Sequence, residues 1–265
     1  MKKLILCSFL FLGCTTPQKS FRAIGHRGSA GHAPENTMPA LEAARRLQVH
    51  EIEIDIQLSA DNQLVLFHDD KLDKKTSSKG SIRQHTASEL KKVDIGGWYD
   101  KTYPNSTIQF KGTYLTTLDD VLKTYGRVFY YHIEIKSHEA EIPTLLMKML
   151  KEQNQLENVT ITSFDFDQIA RVRTLDAKIP LCLLVKGAIS ADILSEIHRA
   201  KKAGFNQVAI DTEQINEEQV KLAHQLSLDI RGYGVKSKDH LKKLLALDVY
   251  GATLDNPNWV RTTQL

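Results

Sequence analysis

From Phe21 onward the chain alternates short apolar runs with longer amphipathic ones. The short runs lie at 22–25, 51–58, 64–68, 128–136, 159–163, 181–185, 207–211, 228–232 and 252–255. They have strand length and favour Ile, Val and Leu. Between them, 36–47, 118–125, 142–153, 166–175, 189–203, 217–226 and 238–245 place apolar residues every three or four positions, as a helix with one buried stripe does. The first of these helices carries Met38, Leu41, Ala44 and Leu47 on its stripe, with Pro34 and Glu35 near its start. Regular strand–helix alternation implies a parallel sheet with crossover helices. About eight such units in 265 residues is the size of a (β/α)8 TIM-type barrel. No glycine-rich phosphate loop follows the first strand, which disfavours an open doubly wound sheet. Residues 69–113 break the rhythm, being rich in Lys, Ser, Gly and Asp. They read as a small insertion after the second barrel strand, placed over the mouth where barrel enzymes keep their sites.

The N-terminus follows a different pattern. Met1-Lys2-Lys3 precedes a mostly apolar run at 4–12, which ends in Gly13-Cys14. The run is shorter than the roughly 20 residues that span a bilayer, and its basic start marks an export signal. The expected organisation is a signal peptide at 1–13, a tether at 14–21 lipidated on Cys14, and one barrel domain at 22–265. The expected location is the cell envelope, as a membrane-anchored lipoprotein facing the periplasm or at the outer membrane; simple secretion is the alternative. Cys7 would leave with the signal and Cys14 would carry lipid. Cys182, alone in the apolar run 181–185, reads as a small core hydrophobe, so no disulfide is expected. A formal charge of +3 gives no footprint for nucleic acid. Nothing in the sequence specifies an oligomeric state.

Two strands carry the chemistry. In 50–58, alternation puts Ile52, Ile54, Ile56 and Leu58 on one face and Glu51, Glu53, Asp55 and Gln57 on the other. In 130–136, His132, Glu134 and Lys136 share a face opposite Tyr131, Ile133 and Ile135. Helices cover the outside of a barrel, so the apolar faces point outward and the carboxylates into the lumen. Enclosed carboxylates repel and need a cation. Oxygen ligands from Glu53, Asp55 and Glu134 suit a hard divalent ion, Ca2+ or Mg2+. His26 and His68 each follow an apolar strand and are candidate proton-transfer groups. Arg27 offers the planar fork that suits a phosphate, and Lys136 adds a second cation. Glu35 is expected to orient Arg27 or cap the nearby helix, and Asp69 to orient a neighbour.

These residues resemble the glycerophosphodiester phosphodiesterase family along essentially all of the chain after its leader. His26-Arg27-Gly28 with Pro34-Glu35-Asn36-Thr37 is similar to that family's opening signature. Glu53-Ile54-Asp55, His68-Asp69 and Glu134-Ile135-Lys136 follow in its order. Asp94-Ile95-Gly96-Gly97-Trp98, Ser163-Phe164-Asp165 and Thr253-Leu254-Asp255-Asn256-Pro257 complete the set. The resemblance implies a metal-dependent barrel enzyme that splits a small glycerophosphodiester into sn-glycerol 3-phosphate and an alcohol. It implies His26 and His68 as the acid/base pair, Glu53, Asp55 and Glu134 as metal ligands, and Arg27 and Lys136 as phosphate contacts. The family's tryptophan at the seventh barrel strand is absent, and Tyr233 stands as its substitute on the substrate side. Alternatives are a lysophospholipase D or lipid phosphodiester lyase on the same scaffold, and a ligand-binding lipoprotein without turnover.

Overall fold

The computed structural model describes residues 21–187 and 189–263. The leader, the Cys14 anchor and most of the tether lie outside the described residues. Among the described residues nine strands form: β1 (Arg22–Gly25), β2 (Glu51–Leu58), β3 (Leu64–Leu66), β4 (Tyr130–Ile135), β5 (Val159–Ser163), β6 (Leu181–Val185), β7 (Gln207–Asp211), β8 (Asp229–Tyr233) and β9 (Gly251–Leu254). Eight of them, all but β3, are parallel and close into a barrel, with β1 paired to both β2 and β9. Helix α1 (Met38–Arg46) follows β1, and two short helices, α2 (Ala87–Leu90) and α3 (Gly96–Thr102), lie in the insertion. Around the barrel follow α4 (Leu118–Tyr125), α5 (Ile142–Glu152), α6 (Phe166–Leu175), α7 (Ser190–Lys202), α8 (Glu217–Gln225), α9 (Lys238–Ala246) and α10 (Trp259–Thr263). The sequence thus yields a closed (β/α)8 barrel, as its periodicity implies.

The alternation in β2 decides what goes where. Ile52, Ile54, Ile56 and Leu58 are fully buried in the main core, shared with the helices. Each such side chain contributes about 1.5–3 kcal/mol on leaving water. That layer holds Glu51, Glu53, Asp55 and Gln57 on the inner face, where they are also buried. α1 starts with its apolar stripe at Met38, two residues later than the expected range of 36–47. Thr37 caps it, its hydroxyl accepting from the Ala40 N–H at 3.4 Å, so Glu35 is not the cap.

The strand after β2 is the main departure from the sequence reading. Residues 64–68 have the length and composition of a barrel strand, but β3 runs antiparallel to β2, pairing Leu64 with Leu58 and Leu66 with Ile56. β1 and β3 are therefore not paired with each other; they follow one another along the same edge of β2, opposite β4. A tight return at 59–63 explains this, since a parallel crossover needs a dozen or more residues. The insertion that follows has a small core of its own, built on Val65, Phe67, Leu72, Ile82, Leu90 and Ile95. Among the described residues, no helix is long and apolar enough to cross a membrane.

Candidate active site

The eight barrel strands deliver their last residues to one mouth. At the end of β1, His26 lies beside Leu254 of β9, to whose carbonyl its backbone N–H donates at 3.0 Å. Its Nδ1–H donates to Asp255 Oδ1 at 2.6 Å. A carboxylate only accepts, so this contact puts the proton on Nδ1 and leaves Nε2 as the working nitrogen. That nitrogen is 3.9 Å from Glu53 Oε2. His68 repeats the arrangement, with Nδ1 bonded to Asp69 Oδ1 at 2.8 Å. Both rings keep about a third of their surface open to the mouth, 33% and 32%. β3 makes this possible: it turns the chain back along β2 until the Phe67 N–H bonds the Asp55 carbonyl at 3.3 Å. A barrel strand of the same sequence would carry His68 elsewhere.

Arg27 has a left-handed backbone, φ 52°, which aims its N–H at Glu53 Oε2 at 3.0 Å. Non-glycine residues adopt such angles at a cost, and they concentrate at functional sites. Gly28 continues the turn at φ 88°, where a Cβ would meet the backbone of α1 at 2.9 Å. The Arg27 guanidinium pairs with Glu35 at 2.8 Å and lies 3.4 Å from Asp55. Glu35 also accepts from Lys75 at 2.7 Å, and Lys75 bridges to Asp69 at 2.9 Å. Lys136 reaches back to Glu134 at 2.8 Å.

Glu53, Asp55 and Glu134 present carboxylate oxygens within 4.8 Å of one another, and all three are buried. One oxygen of Glu53 is buried with no partner. Burial and the nearby Asp55 push the Glu53 carboxyl up to about 8, and burial with Asp55 also raises Glu134. Burial alone would raise Asp55 too, but Arg27, His68 and Lys136 hold it low, helped by a 2.7 Å bond from the Asn36 amide. An all-oxygen trio with an orphaned acceptor fits a hard divalent cation. The two histidines diverge. Enclosure works against charge on both, yet Asp255 and Glu53 carry His26 above its ordinary value. His68 lies below its own, through enclosure and the Arg27 and Lys136 charges.

The far side of the lumen is different. Cys182, Leu184 and Ala209 form a small apolar patch against Phe164 and Tyr233. The Cys182 thiol is free and buried, as the apolar run around it implies. The Tyr233 hydroxyl donates to the Val185 carbonyl at 2.9 Å, so the ring, set edge-on to Phe164, is what this residue offers the lumen. Lys186 and Lys136 lie 4.6 and 5.7 Å from the centre of the Phe164 ring. His132 shares a strand face with Glu134 but is held one layer below, bonded to Glu51 at 2.9 Å.

The structure therefore gathers His26, Arg27, Glu53, Asp55, His68, Glu134 and Lys136 at one mouth. Sequence reasoning on single strands passed over Asp255, Asn36, Lys75 and Phe164. Asp255 had a signal available, since in a closed barrel the last strand returns beside the first. Lys75 had none, because nothing in its neighbourhood separates it from the other lysines of the insertion.

Fold and site together define a barrel hydrolase built around an anionic ester. Residues 26–259 match the profile described as the glycerophosphoryl diester phosphodiesterase family. A glycerophosphodiester phosphodiesterase of Bacillus subtilis is 29% identical over 244 residues, 89% of this chain and 83% of the relative. One from Bacillus altitudinis is 30% identical, over 89% of this chain and 95% of the relative. The structure of an Oleispira antarctica phosphodiesterase, in complex with the product sn-glycerol-3-phosphate, superposes with a TM-score of 0.80. It is 23% identical and covers 91% of this chain and 95% of its own. The chain belongs to the glycerophosphoryl diester phosphodiesterase family.

Proposed function

We propose that this protein hydrolyses glycerophosphodiesters to sn-glycerol 3-phosphate and an alcohol, using Ca2+ or Mg2+ held by Glu53, Asp55 and Glu134. The observation that carries the reading is the convergence of two aspartate-tethered histidines on one carboxylate trio, with a cation on either side. A bound divalent ion supplies positive charge to the phosphoryl oxygens and keeps the three carboxylates ionised. Arg27 and Lys136 neutralise the remaining charge of the diester, which otherwise repels a nucleophile. His26 and His68 carry the two proton transfers, one taken from the attacking group and one given to the leaving alcohol. Asp255 and Asp69 hold both rings by Nδ1, so each transfer uses Nε2. Phe164 and Tyr233 close the apolar side, where the carbon face of the glycerol packs. In this reading the protein works in the cell envelope, facing the periplasm or at the outer membrane, held by a lipid on Cys14.

The test is an assay on glycerophosphocholine and glycerophosphoethanolamine with product analysis. Free sn-glycerol 3-phosphate is expected, activity should vanish on chelation, and either ion should restore it. His26→Ala and His68→Ala should each lower kcat about 10²–10⁴-fold, the usual worth of a positioned acid or base, while the fold survives. Full activity after exhaustive chelation refutes the metal assignment. A cyclic phosphate as end product, or turnover of lysolipids alone, points instead to a lyase or lysophospholipase D. Wild-type turnover in both histidine variants leaves a binding protein as the better reading.

A further inference from the structure

The insertion lines a half-open cavity of about 630 Å³ beside the site just described. Its walls carry Lys74, Lys75, Lys101 and Lys111 together with Trp98. Two aspartates also line it; their oxygens accept from backbone amides, and their charge offsets part of that of the lysines. Asp94 accepts from Gly97 and Gly112, each at 3.0 Å, and Asp100 from Phe110 and Lys111, each at 2.8 Å. Among the described residues, the ammonium groups of Lys74, Lys101 and Lys111 make no ion pair. The cavity is thus roomy, flanked by an aromatic ring, and lined by more cations than anions, four lysines against two aspartates.

Its position relative to the barrel gives this charge a meaning. Lys75 forms the wall between cavity and mouth: it bonds Glu35 and Asp69 on the mouth side and lies 5.4 Å from the centre of the Trp98 ring. The opposite arc of the mouth is the apolar and aromatic one, with Phe164 and Tyr233 at the ends of β5 and β8. A glycerophosphodiester has two arms on one phosphate. The carbon face of glycerol suits the aromatic arc, which leaves the cationic cavity for the other arm. A neutral or cationic alcohol gains nothing from unpaired lysines, whereas an alcohol that bears its own anion does.

We propose that this cavity is a subsite for the leaving alcohol and selects diesters whose alcohol carries a second phosphate or phosphodiester. This rests on the activity proposed above. The experiment compares sn-glycero-3-phosphoglycerol, whose leaving alcohol is neutral, with bis(sn-glycero-3-phospho)glycerol, whose leaving alcohol keeps one phosphodiester anion. Wild-type protein is expected to show a kcat/KM about tenfold higher for the second, mainly through KM, since each exposed ammonium contributes a few-fold at most. High salt should compress that ratio. The exposed pair Lys101→Ala/Lys111→Ala, neither of which touches the mouth, should abolish the preference and leave turnover of the neutral-alcohol diester unchanged. A wild-type ratio near one, or a ratio the double variant retains, overturns the subsite while the activity stands. No turnover of either diester by the wild type overturns both.

Discussion

A carboxylate oxygen enclosed without a donor, as Glu53 has, favours its protonated form until a cation arrives. The native carboxyl titrates at about 8 and an ordinary glutamate at 4.5. Between those values the native protein keeps a proton that the unfolded chain has released. Metal-free stability must therefore fall as pH rises through that window. Thermal melts in chelator should give a lower Tm at pH 8 than at pH 5, and Glu53→Gln should remove most of that slope. Added Ca2+ or Mg2+ should raise the wild-type Tm most at the alkaline end, through binding to the native state alone. Equal slopes in wild type and Glu53→Gln would refute the account. At this scale the sequence was informative about side chains that share a strand. Glu53, Asp55 and Glu134 could be grouped from alternation alone, because β2 and β4 are buried on both faces. The tether of His26 could be found only through the closure of the barrel, since Asp255 follows it by 229 positions and comes beside it where the last strand returns to the first.

Among the elements, β3 shows where periodicity stops being informative. Apolar content places Leu64–Leu66 in a sheet, but only the short return from β2 fixes it as an antiparallel appendage. The consequence for catalysis can be tested within the small core of the insertion. Phe67 is 1% exposed and adjoins His68. Phe67→Ala should cost about 3–5 kcal/mol of local packing and also lower kcat, because it loosens the end of the strand that presents the histidine. Leu90→Ala, in the same core but away from His68, should cost a comparable 2–5 kcal/mol with near-normal turnover per folded molecule. Equal kcat in the two variants, measured below both melting temperatures, would show that β3 does not position His68.

On the scale of the whole molecule, the barrel was legible because eight repeats of one pattern leave few other closures. The insertion was legible only as an interruption. Its cavity depends on which lysines lack partners, and no linear pattern records that. The anchor is a separate question, carried by Gly13-Cys14 alone. Cys14→Ser should release the protein from membranes or block its processing, while leaving kcat of a soluble form intact. Mass spectrometry of the mature N-terminus decides it, and an unmodified Cys14 or a later start would refute the anchor. Only eight positions separate Cys14 from Arg22, so a lipid on Cys14 would hold the barrel within about 29 Å of the headgroups. One more consequence follows from the β2–β3 ladder. A loop lets a side chain drift by fractions of an ångström as neighbouring residues change. A ladder permits only whole steps: a shift of one residue turns His68 to the other face, and a shift of two moves it about 7 Å along β2. The distance between the two histidines is thus quantised, held by discrete pairings rather than by a continuous fit. Residues 76–113, beyond Asp69 and Lys75, can then lengthen, shorten or change composition over time without detuning the pair, so new specificity can arise in the insertion while the chemistry beneath it stays fixed.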